Sequence, residues 1–108
     1  DTRTVLRITL IRDYNTSDEM IPAFASMVRE ASPHFIEIKS YMHVGRSTNR
    51  LERSHMLEID EVRNFSLELA RQSEMFSVMD ESYLSRVVVL QNQERFIDRW
   101  ISAYLDTN

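Results

Sequence analysis

Apolar and polar residues alternate over residues 4–11, with Leu6, Ile8 and Leu10 on one face and Arg7 and Thr9 on the other. That is the period of a half-buried strand. After the polar run at residues 13–18 the period changes. Met20, Phe24, Met27, Val28 and Ala31 recur at helical spacing, which predicts a helix with one apolar stripe. Pro22 belongs in the first turn of that helix, so its start falls near residues 19–21. Ser32 and Pro33 end it. Alternation returns over residues 35–41: Ile36 and Ile38 face one way, Glu37, Lys39 and Tyr41 the other.

A long polar loop around Gly45, residues 43–56, follows. Asp60 is the expected N-cap of a second helix whose apolar face holds Val62, Phe65, Leu69 and Ala70. Residues 75–79 and 84–90 read as two more strands. From Arg95 onward, Phe96, Ile97, Trp100, Ile101, Tyr104 and Leu105 fall on one helical stripe. The six methionines are expected as core filler. The order strand, helix, strand, loop, helix, strand, strand makes parallel βαβ units the natural reading and the fold class α/β.

Polar residues on one face of both early strands change this picture. In an open parallel sheet both faces are covered and strands are apolar throughout. Polar faces on adjacent parallel strands fit a barrel, where they line a central cavity and catalytic groups gather at the strands' C-terminal ends. The plainer alternative is an ion pair of Glu37 with Arg7 or Lys39 beside a sheet edge. Lys39 is the chain's single lysine, and an amine can add to a carbonyl where a guanidinium cannot.

The 108 residues suffice for one domain. The net charge is −4, yet residues 39–56 hold Lys39, Arg46, Arg50 and Arg53 against Glu52 alone. A basic segment on an acidic body suggests a local anionic partner, and arginines interspersed with Ser47, Thr48 and Asn49 suit a nucleic-acid backbone. With no cysteine in the chain, disulfides and thiolate-held metals or clusters are excluded within it. His34, His43 and His55 form no tight ligand spacing, so no metal site is expected. No apolar run is long enough to span a membrane, and no secretory pattern opens the chain; the expectation is a cytoplasmic protein.

The run from Thr4 to Asn15 resembles the arginine–threonine strand and asparagine loop of the tRNA 4-demethylwyosine synthases, which are radical-SAM proteins. Residues 33–45 closely resemble that family's PDFIEVKGYMHVG segment. Ser47, Asn49, Arg50, Leu51, His55 and Met56 continue the match, and residues 80–82 and 85–90 resemble its closing strand. The resemblance implies part of a (β/α) radical-SAM barrel of the TIM type with a C-terminal β-β-α extension. In the whole enzyme it implies a four-iron cluster and S-adenosylmethionine, neither of them held by this chain alone.

The implied reaction joins pyruvate-derived carbons to N1-methylguanosine beside the anticodon of phenylalanine tRNA. By position, Lys39 would hold pyruvate as a Schiff base. Arg7, Thr9, Asn15, Glu37, Tyr41 and His43 would line the cavity. Arg46, Ser47, Asn49, Arg50 and Arg53 would meet the anticodon stem-loop. Three departures stand out. The CxxxCxxC cluster motif is absent, Ser40 replaces a glycine, and residues 57–60 replace a proline-serine-histidine-glutamate stretch. Two functions are therefore expected to compete: the C-terminal half of a catalytic barrel, completed by an N-terminal half, or a stand-alone non-catalytic RNA-binding or assembly module. An open sheet edge would also permit a homodimer.

Overall fold

Strand β1 (Val5–Leu10) and helix α1 (Ile21–Ala31) lead into β2 (Phe35–Ser40), which lies beside β1 and parallel to it. This is the expected βαβ unit. Residues 3–43 and 51–94 are described by the computed structural model. Helix α2 (Ile59–Ser73) follows, then β3 (Phe76–Ser82) and β4 (Val87–Asn92). The four strands form one open sheet in the order β1-β2-β4-β3. Among the described residues no helix is long and apolar enough to cross a membrane.

The chain does not place β3 against β2. β3 and β4 form a hairpin, and β4 inserts antiparallel between β2 and β3. Among the described residues the sheet is therefore mixed, with one parallel pair, and β1 and β3 are its edges. Both helices lie on one face and pack on each other, with Phe24 edge-on to Phe65 at 5.8 Å between centroids. One core joins Ile8, Leu10, Ile36, Ile38, Val88 and Leu90 of the sheet to Ile21, Ala25 and Val28 of α1 and to Val62, Phe65 and Leu69 of α2. Each of these side chains larger than alanine stabilises the fold by about 1.5–3 kcal/mol when fully buried.

Several boundaries differ from expectation, each for a local reason. α2 starts at Ile59 with Glu58 as its cap, before Asp60. The Glu61 carboxylate accepts the Glu58 N–H at 2.9 Å, and the Glu58 carboxylate returns to the third helical residue, a reciprocal capping box. Asp60 instead accepts from Arg63 at 2.7 Å. Arg63 also donates to Glu81 of β3; its hydrogen bond to Glu81, then that to Asp60, raises the guanidinium pKa above its ordinary value. β4 starts at Val87, because Leu84, 87% exposed, sits in the hairpin turn.

The buried stripe of α1 is Ile21, Ala25 and Val28, with Phe24 packed at its margin. Met20 and Met27 are exposed, as is Met42 beyond β2; of the methionines only Met75 is counted in the buried core. The expectation of methionine as core filler is corrected accordingly: the stripe rotates so that its β-branched and small residues meet α2 and the sheet. A 3₁₀ turn, Arg53–His55, breaks the expected loop. The helical stripe expected from Arg95 onward lies outside the described residues.

Among the described residues, four non-glycine residues have left-handed backbones: Asp13, Ser32, Glu74 and Arg86. Ser32 and Glu74 are the C-caps of α1 and α2, the position where a left-handed residue lets the last carbonyls be capped. Arg86 closes the β3–β4 turn, its N–H donating to the Tyr83 carbonyl at 3.3 Å.

Candidate active site

The sheet face turned away from the helices carries the polar residues of β1 and β2. The parallel register sets Arg7 beside Glu37 and Thr9 beside Lys39; on the other side of β2, Val89 adjoins Glu37 and Val87 adjoins Lys39. Because side chains alternate along a strand, all six share the open face while Ile8, Ile36 and Ile38 enter the core. The sequence-predicted group Arg7, Thr9, Glu37 and Lys39 is thus one patch. Arg7 Nε lies 3.8 Å from Glu37 Oε1 with the arginine side chain 73% exposed, a pairing worth ~0–1 kcal/mol. That leaves the guanidinium available to an anion. Lys39 is exposed, one residue from the end of β2, and makes no hydrogen bond or ion pair with any described residue.

Asn15, expected to line the cavity, holds the loop that leaves β1. Its Oδ1 accepts the Ile11 N–H at 2.8 Å and its Nδ2 donates to the Thr9 carbonyl at 2.9 Å. The amide fixes the turn leaving β1, and so the end of the strand that flanks Lys39.

Beyond Lys39 the chain is clamped. The Tyr41 N–H donates to the Leu10 carbonyl at 2.7 Å, extending the parallel ladder by one bond. The Ser40 hydroxyl, 1% exposed as a residue, donates to the Tyr41 carbonyl at 2.8 Å and accepts the Leu57 N–H at 2.8 Å. The Arg86 guanidinium donates to the Leu57 carbonyl at 2.9 Å and lies 3.6 Å from Glu58, while the Arg86 carbonyl accepts the Ser40 N–H at 3.1 Å. Ser40, Leu57 and Arg86 therefore lock the end of β2, the entry to α2 and the hairpin turn into one unit. Residues 57–60 serve this unit: Leu57 and Ile59 are buried and Glu58 caps α2.

Neither Ser40 nor Arg86 carries a sequence signal for this role beyond the unusual serine. Ser40→Ala is expected to leave the buried Leu57 N–H unpaired and to cost about 1–3 kcal/mol, measured as a lowered unfolding midpoint in denaturant with an unchanged slope.

At the mouth of this unit the Tyr41 hydroxyl lies 2.9 Å from His43 Nδ1, and Tyr41 is 9% exposed. The other histidines sit elsewhere: His34 Nδ1 accepts the Thr4 N–H at 3.1 Å and His55 Nδ1 accepts the Glu52 N–H at 2.8 Å. No group of three metal-ligating side chains occurs among the described residues. Of the predicted RNA contacts, Arg53 lies in the 3₁₀ turn and is exposed; Arg46, Ser47, Asn49 and Arg50 lie outside the described residues. A cleft between the start of α1 and α2, about 260 Å³, is lined by Asp18, Ile21, Glu61, Phe65 and Glu68. It opens on the helical side, and its acidic rim repels phosphate, so it is no continuation of the Lys39 patch.

The profile of the family described as Wyosine base formation matches residues 30–92. The chain belongs to that family. It is 44% identical over 96 residues to the S-adenosyl-L-methionine-dependent tRNA 4-demethylwyosine synthase of Methanocaldococcus jannaschii, covering 89% of this chain and 30% of that protein. Two solved structures of the wyosine family are similar. TYW1 with a lysine–pyruvate adduct bound superimposes with a TM-score of 0.79 at 41% identity, over 90% of this chain and 30% of the other. The crystal structure of archaeal TYW1 gives 0.72 at 37% identity, over 91% and 29%. The chain thus spans about 30% of the length of these wyosine-family relatives.

Proposed function

We propose that this chain is the substrate-facing C-terminal part of a radical-SAM enzyme that builds 4-demethylwyosine in phenylalanine tRNA from N1-methylguanosine and pyruvate. The observation that carries the reading is the single lysine of the chain, placed on the open polar face at the C-terminal end of a parallel strand. A structural relative, TYW1, is known with a lysine–pyruvate adduct. In this reading the Lys39 amine adds to the pyruvate ketone carbon, and loss of water leaves an imine. Arg7, only loosely paired to Glu37, takes the pyruvate carboxylate, and the Thr9 hydroxyl supplies a further donor. Arg46, Ser47, Asn49, Arg50 and Arg53 meet the anticodon stem-loop, and the target base leaves its stack to reach the patch.

A four-iron cluster needs thiolate ligands, and this chain has no cysteine. Its residues do not fit that group, and no step described for them passes through it. S-adenosylmethionine, required by the relative from Methanocaldococcus jannaschii, supplies the radical chemistry. Cluster and S-adenosylmethionine are assigned to the N-terminal half of the enzyme. The free edge of β1 is where a preceding barrel strand of that half pairs, and a homodimer is the competing use of the same edge.

The test is reductive trapping in the natural gene product that carries this sequence. Pyruvate with borohydride is expected to modify Lys39, located by peptide mapping. The chain covers 30% of the adduct-bearing relative, so mapping is decisive: an adduct solely on a lysine outside this sequence removes the Schiff-base role from Lys39. Absence of a CxxxCxxC motif from that gene product would favour the non-catalytic module instead.

A further inference from the structure

Tyr41 and His43, two and four residues beyond Lys39 on the chain leaving β2, form a preorganised pair, and their geometry points to a task that substrate lining does not. The Tyr41 backbone is held at both ends, its N–H by the Leu10 carbonyl and its carbonyl by the Ser40 hydroxyl. Its ring is buried, and its hydroxyl meets His43 Nδ1 at 2.9 Å with the rings at 69° and 6.1 Å between centroids. His43 itself is half-buried and makes no other hydrogen bond or ion pair with the described residues. Among the described residues, Nε2 has no partner.

A phenol is both donor and acceptor. As the Nδ1–H tautomer, neutral His43 donates to the phenolic oxygen and leaves Nε2 unprotonated, able to take a proton. Imidazolium His43 donates from Nδ1 to the phenolic oxygen. The hydrogen bond thus survives both protonation states, so the ring can gain and lose a proton without losing its anchor. A carboxylate partner would bias the ring toward imidazolium. The uncharged phenol does not, and this suits a residue that must act as acid and base in turn.

We infer that His43 is the acid–base group for imine formation between the active-site lysine and pyruvate, with Tyr41 as its positioning residue. The inference rests on the reading that a lysine imine forms, and extends it. Neutral His43 takes one proton from the lysine ammonium. The free amine then adds to the ketone carbon: an N–C bond forms and the carbonyl π electrons move to oxygen. A proton passes from the nitrogen to that oxygen, giving a neutral carbinolamine. The imidazolium then returns its proton to the hydroxyl, which departs as water while the nitrogen lone pair closes the C=N bond. Ammonium plus ketone yields protonated imine plus water, with His43 restored and no oxidant or reductant required.

The experiment is time-resolved trapping in the natural full-length protein: pyruvate is added, borohydride quenches at intervals, and the adduct is quantified by mass spectrometry. At saturating pyruvate His43→Gln should form adduct ~10²-fold more slowly, within the range a lost acid–base group produces. The pyruvate concentration for half-maximal rate and the final extent should stay unchanged. Tyr41→Phe should fall in between, and added imidazole should restore part of the rate of His43→Ala. Wild-type rates in the His43 variants overturn the assignment. So does a loss that imidazole does not relieve and that shifts the pyruvate dependence, since that marks a structural role. An adduct mapped to a lysine outside this chain, with the rate still lowered in His43→Gln, sinks the Lys39 reading and keeps His43. No adduct in the wild-type protein overturns both.

Discussion

Lys39→Ala is expected to abolish formation of the third ring in the natural enzyme, and Lys39→Arg is expected to fail with it. The reason is chemical rather than structural. Lys39 is exposed and makes no hydrogen bond or ion pair with described residues, so removing it leaves no buried group unsatisfied. Arginine keeps the positive charge beside Glu37 but cannot form the imine. Loss of a covalent nucleophile lowers kcat by several orders of magnitude, whereas loss of a mere counter-charge spares much of it in the arginine variant. Turnover of both variants on transfer RNA, with thermal unfolding as a control for folding, separates these cases. Substantial activity in Lys39→Arg would reduce the lysine to a charge that holds the pyruvate carboxylate.

Leu69→Ala is expected to weaken the whole site without touching it. Leu69 is fully buried in the core that joins α2 to α1 and the sheet. Truncation to alanine in such a place costs about 2–5 kcal/mol, the transfer of the lost methylenes plus the cavity left behind. α2 packs on β2, β3 and β4, so the loss should spread to the strand that carries Lys39. Native-state hydrogen exchange is the direct measure: amides of α2 and β2 should exchange roughly 30-fold faster or more, by the tenfold per 1.4 kcal/mol relation. If β2 amides kept their protection while α2 lost it, helix and active strand would be separate folding units.

The first half of the chain was legible because its signals are local. Period two over Leu6, Ile8 and Leu10 and over Ile36 and Ile38 reports a one-sided strand directly, and Pro22 and Pro33 bracket α1. The second half hides its rules in non-local contacts. Insertion of β4 beside β2 depends on the pairing of Ile38 with Val88 across the sheet, which no periodicity announces. The start of α2 was misplaced because aspartate is the commoner cap, whereas Glu58 and Glu61 cap it as a reciprocal pair. The polar patch was legible as a set, since alternation alone puts Arg7, Thr9, Glu37 and Lys39 on one face. The clamp was not: Ser40 reaches Leu57, and Leu57 reaches Arg86, across long stretches of chain.

The four left-handed residues among those described, in a chain with one glycine, also set where this sequence is free to drift. A left-handed non-glycine residue costs roughly 1 kcal/mol relative to glycine. At Glu74, exposed at the end of α2, a change to glycine relieves that cost and removes no contact named here. At Arg86 the same relief comes with loss of the guanidinium bonded to the Leu57 carbonyl. Glycine is thus an easy neighbour in sequence space at one position and a damaging one at the other. Relatives diverging from this chain can take glycine at residue 74 without losing a contact, while a change at residue 86 forfeits the guanidinium's bond to the Leu57 carbonyl.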